Sequence, residues 1–180
     1  RRGPGGDERV HAAGGDLPAA DDRRLPAPRD QVRRVREGQP RGVEEVWMND
    51  LAERLVTEAI AKGVMIAAAE SCTGGLVSGA ITSIAGSSAM FDRGFVTYSN
   101  EAKTELLGVS PDLIQHYGAV SAEVVTAMAE GALTHSNATL SVAITGIAGP
   151  GGGSIEKPVG LVHFATAVKG QDTRAFEKRF

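Results

Sequence analysis

The run Ala69-Glu70-Ser71-Cys72-Thr73-Gly74-Gly75 sets two candidate nucleophiles side by side, followed by a hydroxyl and two glycines. It stands between an apolar stretch, Val64 to Glu70, and a second stretch in which Val77, Ala80, Ile81 and Ile84 return at helical spacing. A strand-to-helix turn of this composition presents a side chain upward, with backbone N–H groups and the positive end of a helix behind it. Three readings are open: a nucleophilic turn with Cys72, Thr73 and Gly74 around an oxyanion hole, a phosphate cradle, or a loop in which Ser71 or Thr73 only caps the next helix.

A serine nucleophile needs a base. Of the four histidines, His11 falls in an Arg-rich leader, His116 and His135 lie near helix ends, and His163 falls within a strand, so a Ser-His-Asp arrangement is disfavoured. Lys103 is the better candidate. With Asn100 as the expected cap it falls in the first helical turn, where the dipole disfavours positive charge and burial would lower its pKa further. A neutral amine is what a general base must be. Tyr98, at the end of the preceding strand, is placed to orient that amine or relay a proton. Cys72 is the rival nucleophile, its thiolate favoured by the helix terminus. Side chains leaving a strand alternate, so only one of Ser71 and Cys72 faces the pocket, and spacing alone does not choose. Glu70 is expected to pair with Lys103 or to cap the turn.

The second unusual stretch is Gly146-Ile147-Ala148-Gly149-Pro150-Gly151-Gly152-Gly153-Ser154. It is neither a P-loop, since Gly152 stands where lysine is required, nor a Rossmann fingerprint, since Ser154 stands where the last glycine belongs. Thr145, Gly146, Gly149, Gly151 and Gly152 are instead candidates for gripping a phosphate or ribose through backbone N–H groups. No spacing suggests a metal site or a redox cofactor, and none is expected.

These residues need a scaffold that brings them together. A helix from Asn49-Asp50 to Gly63 is expected to bury Leu51, Leu55, Ala59 and Ile60. Strands are expected at 64–70, 93–100, 139–145 and 159–168. Between them come a helix capped by Asn100, a short one from Pro111 to Tyr117, and a longer one from Ser121 to His135. Strands separated by helices imply an α/β fold, three-layer α/β/α, with a largely parallel sheet covered on both faces. Ligands of such sheets bind beyond the carboxyl ends of the strands, where Glu70 to Thr73, Tyr98 to Asn100 and Thr145-Gly146 all fall. Residues 173–180 read as a strand in hairpin with the previous one, and the pattern stops without closing, as in a truncated domain.

Composition divides the 180 residues near Met48. Residues 1–47 hold ten Arg, no Lys and five of the eight Pro, and no Ile, Phe, Tyr or Met, which reads as a disordered leader, of non-native origin by preference. Its interleaved acids argue against nucleic-acid binding, and the net charge of -3 gives no electrostatic case for nucleic acid or an anionic membrane. The single cysteine excludes an internal disulfide and fits a reducing cytoplasm. No apolar run is long enough for a helix to cross a bilayer.

From about Met48 onward, "AESCTGG", "GFVTYSNEAKTELLGV", "GAVSAEVVTAMAEGA" and "ITGIAGPGGGSIEKPVGLV" resemble, in order, the C-terminal domain of the competence/damage-inducible CinA proteins, which also occurs alone as nicotinamide-nucleotide amidase. The resemblance implies deamidation of nicotinamide mononucleotide to nicotinic acid mononucleotide and ammonia, a step of pyridine-nucleotide salvage. It implies Ser71 as nucleophile, with Lys103 and Tyr98 as its activating partners. The partner is then a small-molecule nucleotide, without a membrane or nucleic acid, and a homo-oligomer is compatible with it. The family domain continues through a further strand or hairpin arm and a final helix, whose absence after Phe180 would leave an edge and an apolar face exposed and the chain inactive. The competing reading is a non-catalytic nucleotide- or partner-binding module linked to competence or DNA damage.

Overall fold

The computed structural model describes the backbone from Val43 and side chains from Asp50 onward. The leader expected over residues 1–47 lies outside the described residues, except that its last residues open the first helix. The elements are α1 (Val43–Lys62), β1 (Ile66–Glu70), α2 (Leu76–Thr82), a 3-10 turn (Ser87–Ala89), β2 (Phe91–Val96), α3 (Asn100–Leu107), α4 (Pro111–Tyr117), α5 (Ala122–Thr134), β3 (Leu140–Gly146), β4 (Leu161–Val168) and β5 (Arg174–Arg179).

The strands form one sheet in the order β2-β1-β3-β4-β5. β1 runs parallel to β2 and to β3, whereas β4 is antiparallel to β3 and β5 to β4. The α/β class is as expected, but the sheet is mixed and parallel only in its first half. The crossovers from β1 to β2 and from β2 to β3 run through helices and return the chain to the same edge. The glycine-rich connection from β3 to β4 contains no helix, so the chain reverses there. β5 forms the hairpin expected of residues 173–180.

Ala67, Ala68 and Ala69 of β1 are fully buried, and their small side chains let helices approach from both sides. On one face Ala69, Ala143, Ala165 and Ala167 pack with Val125, Met128 and Ala132 of α5 and with Leu107 of α3. On the other, Ile66 packs with Val56 and Ala59 of α1, Ile81 of α2 and Met90. The expected cover on both faces does not extend to the second half of the sheet. Residues alternate buried and half-buried along β4, every residue of β5 is exposed, and Phe164 stacks on Phe176 at 5.1 Å between centroids on the open side.

α1 also turns differently from expectation. It buries Ala52, Val56 and Ala59, while Leu51, Leu55 and Ile60 are exposed. The helix carries two adjacent apolar stripes at helical spacing, and periodicity does not say which one meets the sheet.

Because β1, β2 and β3 are parallel neighbours, their carboxyl ends share one edge. The first residues of β4 lie there as well, since Gly146 pairs with Val162 and Thr145 with His163. That edge carries every chemical group considered below.

Candidate active site

The chain leaves β1 through Ser71, whose N–H donates to the Ile144 carbonyl at 2.9 Å and so continues the sheet one residue past the strand. Gly74 and Gly75 then take φ of 57° and 102°, values an L side chain rarely adopts, and this sharp reversal is why two glycines stand between β1 and α2. The alternation of β1 carries through the turn. Ala69 faces α5, Glu70 faces α2, and Ser71 returns to the α5 side, where α3 also packs.

Lys103 projects into that same space. It is 1% exposed, and its Nζ lies 3.1 Å from Ser71 Oγ, 2.8 Å from the Thr97 carbonyl and 3.4 Å from the Ser99 carbonyl. The two carbonyls belong to the connection between β2 and α3. A neutral amine has two N–H bonds and one lone pair. The amine donates to all three oxygens; once deprotonated it keeps two N–H bonds for the Thr97 and Ser99 carbonyls and offers its lone pair to the Ser71 hydroxyl, the arrangement a general base requires. Burial holds the Lys103 pKa below its ordinary 10.5 against the opposing pull of Cys72 and Glu101. The sequence placed Asn100 as cap, but Ser99 is the cap, its hydroxyl accepting from Ala102 N at 3.0 Å. Lys103 therefore sits one residue deeper in α3 than expected, and desolvation is what lowers its pKa.

Tyr98 is not brought to this pair. Its backbone lies between the two carbonyls that hold Lys103, but its side chain is 75% exposed and makes no hydrogen bond to Ser71 or Lys103. β2 ends at Val96, and beyond it the buried Thr97 points inward while Tyr98 turns to solvent.

Cys72 is half-buried, and burial pushes its thiol pKa up despite its own and Thr73's N–H groups and Lys103 nearby. It therefore remains a neutral thiol near neutral pH. A neutral thiol exerts no pull on Lys103, which leaves Glu101 as the opposing influence near neutral pH. Glu70 caps the turn and does not pair with Lys103. Its carboxylate accepts from Gly75 N, Val77 N and Ser78 N and from the Ser78 hydroxyl.

This cap changes the expected oxyanion site. Gly74 N–H is committed to the Ser71 carbonyl at 3.1 Å, and the N-terminal donors of α2 are taken by Glu70. The N–H groups of Cys72 and Thr73 have no carbonyl partner among the described residues. The Thr73 hydroxyl is buried without a hydrogen-bond partner among the described residues.

The candidates after β3 divide. The Thr145 hydroxyl donates to the Ala119 carbonyl at 2.9 Å, so its proton is not free for a ligand. Gly146 is needed for packing, since a Cβ there would lie 2.7 Å from the Leu161 carbonyl oxygen, and a Cβ on Gly149 would lie 2.6 Å from Val159 Cγ1. Gly151 and Gly152 are exposed, with nothing near their Cβ positions, and are the part of the loop open to a ligand. The loop is anchored by Lys157, whose Nζ donates to the Tyr117 carbonyl at 2.7 Å, a contact that carries no sequence signal because any residue supplies a carbonyl. Among the described residues no group of acidic, His or Cys side chains could hold a metal ion.

The model of the CinA C-terminal domain matches residues 48–180. The chain belongs to the CinA C-terminal domain family. Nicotinamide-nucleotide amidohydrolase PncC of Enterobacter agglomerans is 55% identical over 127 residues, covering 71% of this chain and 77% of that protein. A putative competence-damage inducible protein of Caldicellulosiruptor bescii is 46% identical over 139 residues, but this chain spans only 33% of its length. Among solved structures, the competence/damage inducible protein CihA from Agrobacterium tumefaciens superposes with a TM-score of 0.72 at 53% identity, covering 74% of this chain and 81% of that one. A CinA superfamily protein from Escherichia coli gives 0.71 at 37% identity, over 74% and 77%. The five-stranded α/β sheet is thus the family's fold, and the family includes both free-standing amidohydrolases and longer CinA-like chains. Among the described residues no helix is long and apolar enough to cross a membrane.

Proposed function

We propose that this chain is a nicotinamide-nucleotide amidase that hydrolyses the carboxamide of nicotinamide mononucleotide to a carboxylate and ammonia, as the name of its PncC relatives describes for them. The observation that carries the reading is the 3.1 Å contact between the buried Lys103 Nζ and Ser71 Oγ, with two backbone carbonyls holding the amine.

The neutral Lys103 takes the Ser71 proton as Oγ attacks the carboxamide carbon. The carbonyl oxygen of the resulting tetrahedral intermediate falls to the N–H groups of Cys72 and Thr73, the donors of the turn that no carbonyl uses. The Lys103 ammonium returns its proton to the departing nitrogen, ammonia leaves, and an ester to Ser71 remains. Lys103 then deprotonates a water that attacks the ester and returns that proton to Ser71 Oγ as it leaves, so the acid is released and Ser71 and neutral Lys103 are restored. For the nucleotide's phosphate or ribose the exposed backbone of Gly151 and Gly152 is the better placed part of the loop, because the Thr145 hydroxyl and Gly146 are already engaged. The reaction belongs to nucleotide salvage in the cytoplasm. The binding-module alternative is disfavoured because burying a lysine without a carboxylate partner costs stability that binding alone does not require.

Ammonia release from nicotinamide mononucleotide tests the reading. Activity is expected in the parent chain and not in Ser71→Ala or Lys103→Ala. Turnover surviving both substitutions would remove the mechanism, and an inert parent chain would favour the binding module.

A further inference from the structure

Glu70 is fully buried, ends β1 and directly precedes Ser71, yet the chemistry above does not use it. Its Oε2 accepts from Gly75 N at 3.0 Å and Val77 N at 3.1 Å, and its Oε1 from Ser78 N at 2.8 Å and Ser78 Oγ at 2.6 Å. Both oxygens are thus doubly engaged, and three of the four donors are backbone groups at the junction of the turn and α2. Burial alone would raise the carboxyl pKa. The Ser78 hydroxyl and the N–H groups of Ser78 and Val77 outweigh it and hold it below the ordinary 4.5.

We propose that Glu70 is a positioning residue that sets the Ser71 turn. The turn is a short arc fixed at one end by the Ser71 N–H on Ile144 and at the other by this carboxylate. The clamp lies on the face of β1 opposite Ser71, so it acts on the nucleophile only through the backbone of the turn. β2 is built to admit it. Gly94 pairs with Ala68, and a Cβ on Gly94 would overlap the Ser78 hydroxyl and stand 3.0 Å from Ser78 Cβ. Glycine at 94 therefore leaves the room in which Ser78 donates to Glu70. An amide cannot replace the carboxylate. Three partners are N–H groups that only donate, so the NH2 of a glutamine opposes at least one of them. Aspartate is one methylene too short to reach α2 from β1.

The inference rests on Ser71 being the nucleophile, and its test separates the two. Glu70→Gln is expected to lower kcat for ammonia release about 10- to 100-fold, the penalty for misplacing a reacting group by a fraction of an ångström to an ångström. KM and the midpoint of the pH–rate profile are expected to stay in place, because neither the nucleotide contacts nor Lys103 is touched. Gly94→Ala is expected to give the same signature, and the double variant to be no worse than Glu70→Gln alone, since both act through Ser78.

The rate of covalent labelling of Ser71 by a fluorophosphonate, read by intact mass, gives the same comparison without any assumption about the substrate. A labelled chain that releases no ammonia would overturn the amidase reading but not the role of Glu70. A parent chain that is not labelled at Ser71 would overturn both. If Glu70→Gln fails to fold, Ser78→Ala removes one of the four bonds and is expected to slow labelling several-fold at unchanged KM. Unchanged labelling in these variants, a fall in rate matched by a rise in KM, or a shifted pH midpoint would each overturn the proposal.

Discussion

Lys103 reaches from the first turn of α3 to within 3.1 Å of Ser71 at the end of β1, and the sheet makes the meeting possible by placing β2 parallel and adjacent to β1. The loop after β2 then opens at the same edge as the turn after β1, which closes a sequence separation of 32 residues. Ser71→Ala is expected to lower kcat by about three orders of magnitude or more, and Lys103→Met by roughly 10²- to 10⁴-fold, the usual contribution of a general base. Lys103→Met should nonetheless fold, because it replaces a buried amine by an apolar chain of similar length. Steady-state ammonia release alongside thermal melts checks both parts. A Lys103→Met chain that is unfolded would make the lysine structural.

The pH dependence follows from the direction of the Lys103 shift. Its pKa in the fold lies below 10.5, so the base form appears at lower pH than in a free lysine, and kcat/KM should rise with pH through that lowered value. Stability has the same sign. Between the folded and unfolded values the unfolded chain binds more protons, so stability increases as pH rises through that window and is lost as pH falls. Urea midpoints against pH should therefore flatten in Lys103→Met. A rate limb that stays in Lys103→Met would belong to another group.

The chemistry was more legible in sequence than the packing. Ser71, Cys72 and the two glycines announce a sharp turn by composition, whereas the burial that lowers the Lys103 pKa cannot be read from its place in the helix. The start of α4 and the start of α5 were also readable, because Pro111 and Ser121 are local signals that need no tertiary context, and β1 and β3 end within a residue of expectation, whereas β2 ends at Val96 and not at 100. What spacing left open was decided by packing. Which of Ser71 and Cys72 lies against Lys103 depends on which face of β1 meets α3. The burial of Ala52 and Val56 over Leu51 and Leu55 depends on which stripe meets the sheet. The Thr97 and Ser99 carbonyls that hold Lys103 carry no side-chain signal at all, since any residue type supplies a carbonyl.

Cys72 supplies a direct contrast. Burial keeps its thiol protonated, and its neighbour Ser71 is the residue in contact with Lys103. Cys72→Ala keeps the backbone N–H and is expected to retain most of the ammonia-release rate. The thiol should react slowly with iodoacetamide at neutral pH, because the thiolate is the reactive form. Loss of turnover in Cys72→Ala, with Ser71→Ala still active, would move the nucleophile by one residue.

The glycines after β3 separate packing from openness within a single loop. A Cβ at Gly146 would stand 2.7 Å from the Leu161 carbonyl oxygen, and one at Gly153 would stand 2.7 Å from Val159 N, both rigid backbone atoms. Gly146→Ala and Gly153→Ala should each cost about 1–3 kcal/mol, the range for forcing an extra methyl into filled space. Gly151 has nothing within 4 Å of its Cβ position and no positive φ, so Gly151→Ala meets no clash. It should be neutral or gain about 0.4–1 kcal/mol, because alanine restricts the unfolded chain more than glycine does. Urea denaturation of the three variants reads the difference directly. Equal midpoints would mean that the loop yields freely, so that Gly146 and Gly153 are not held by contact with 159–161, and the division between anchored and open glycines would fall.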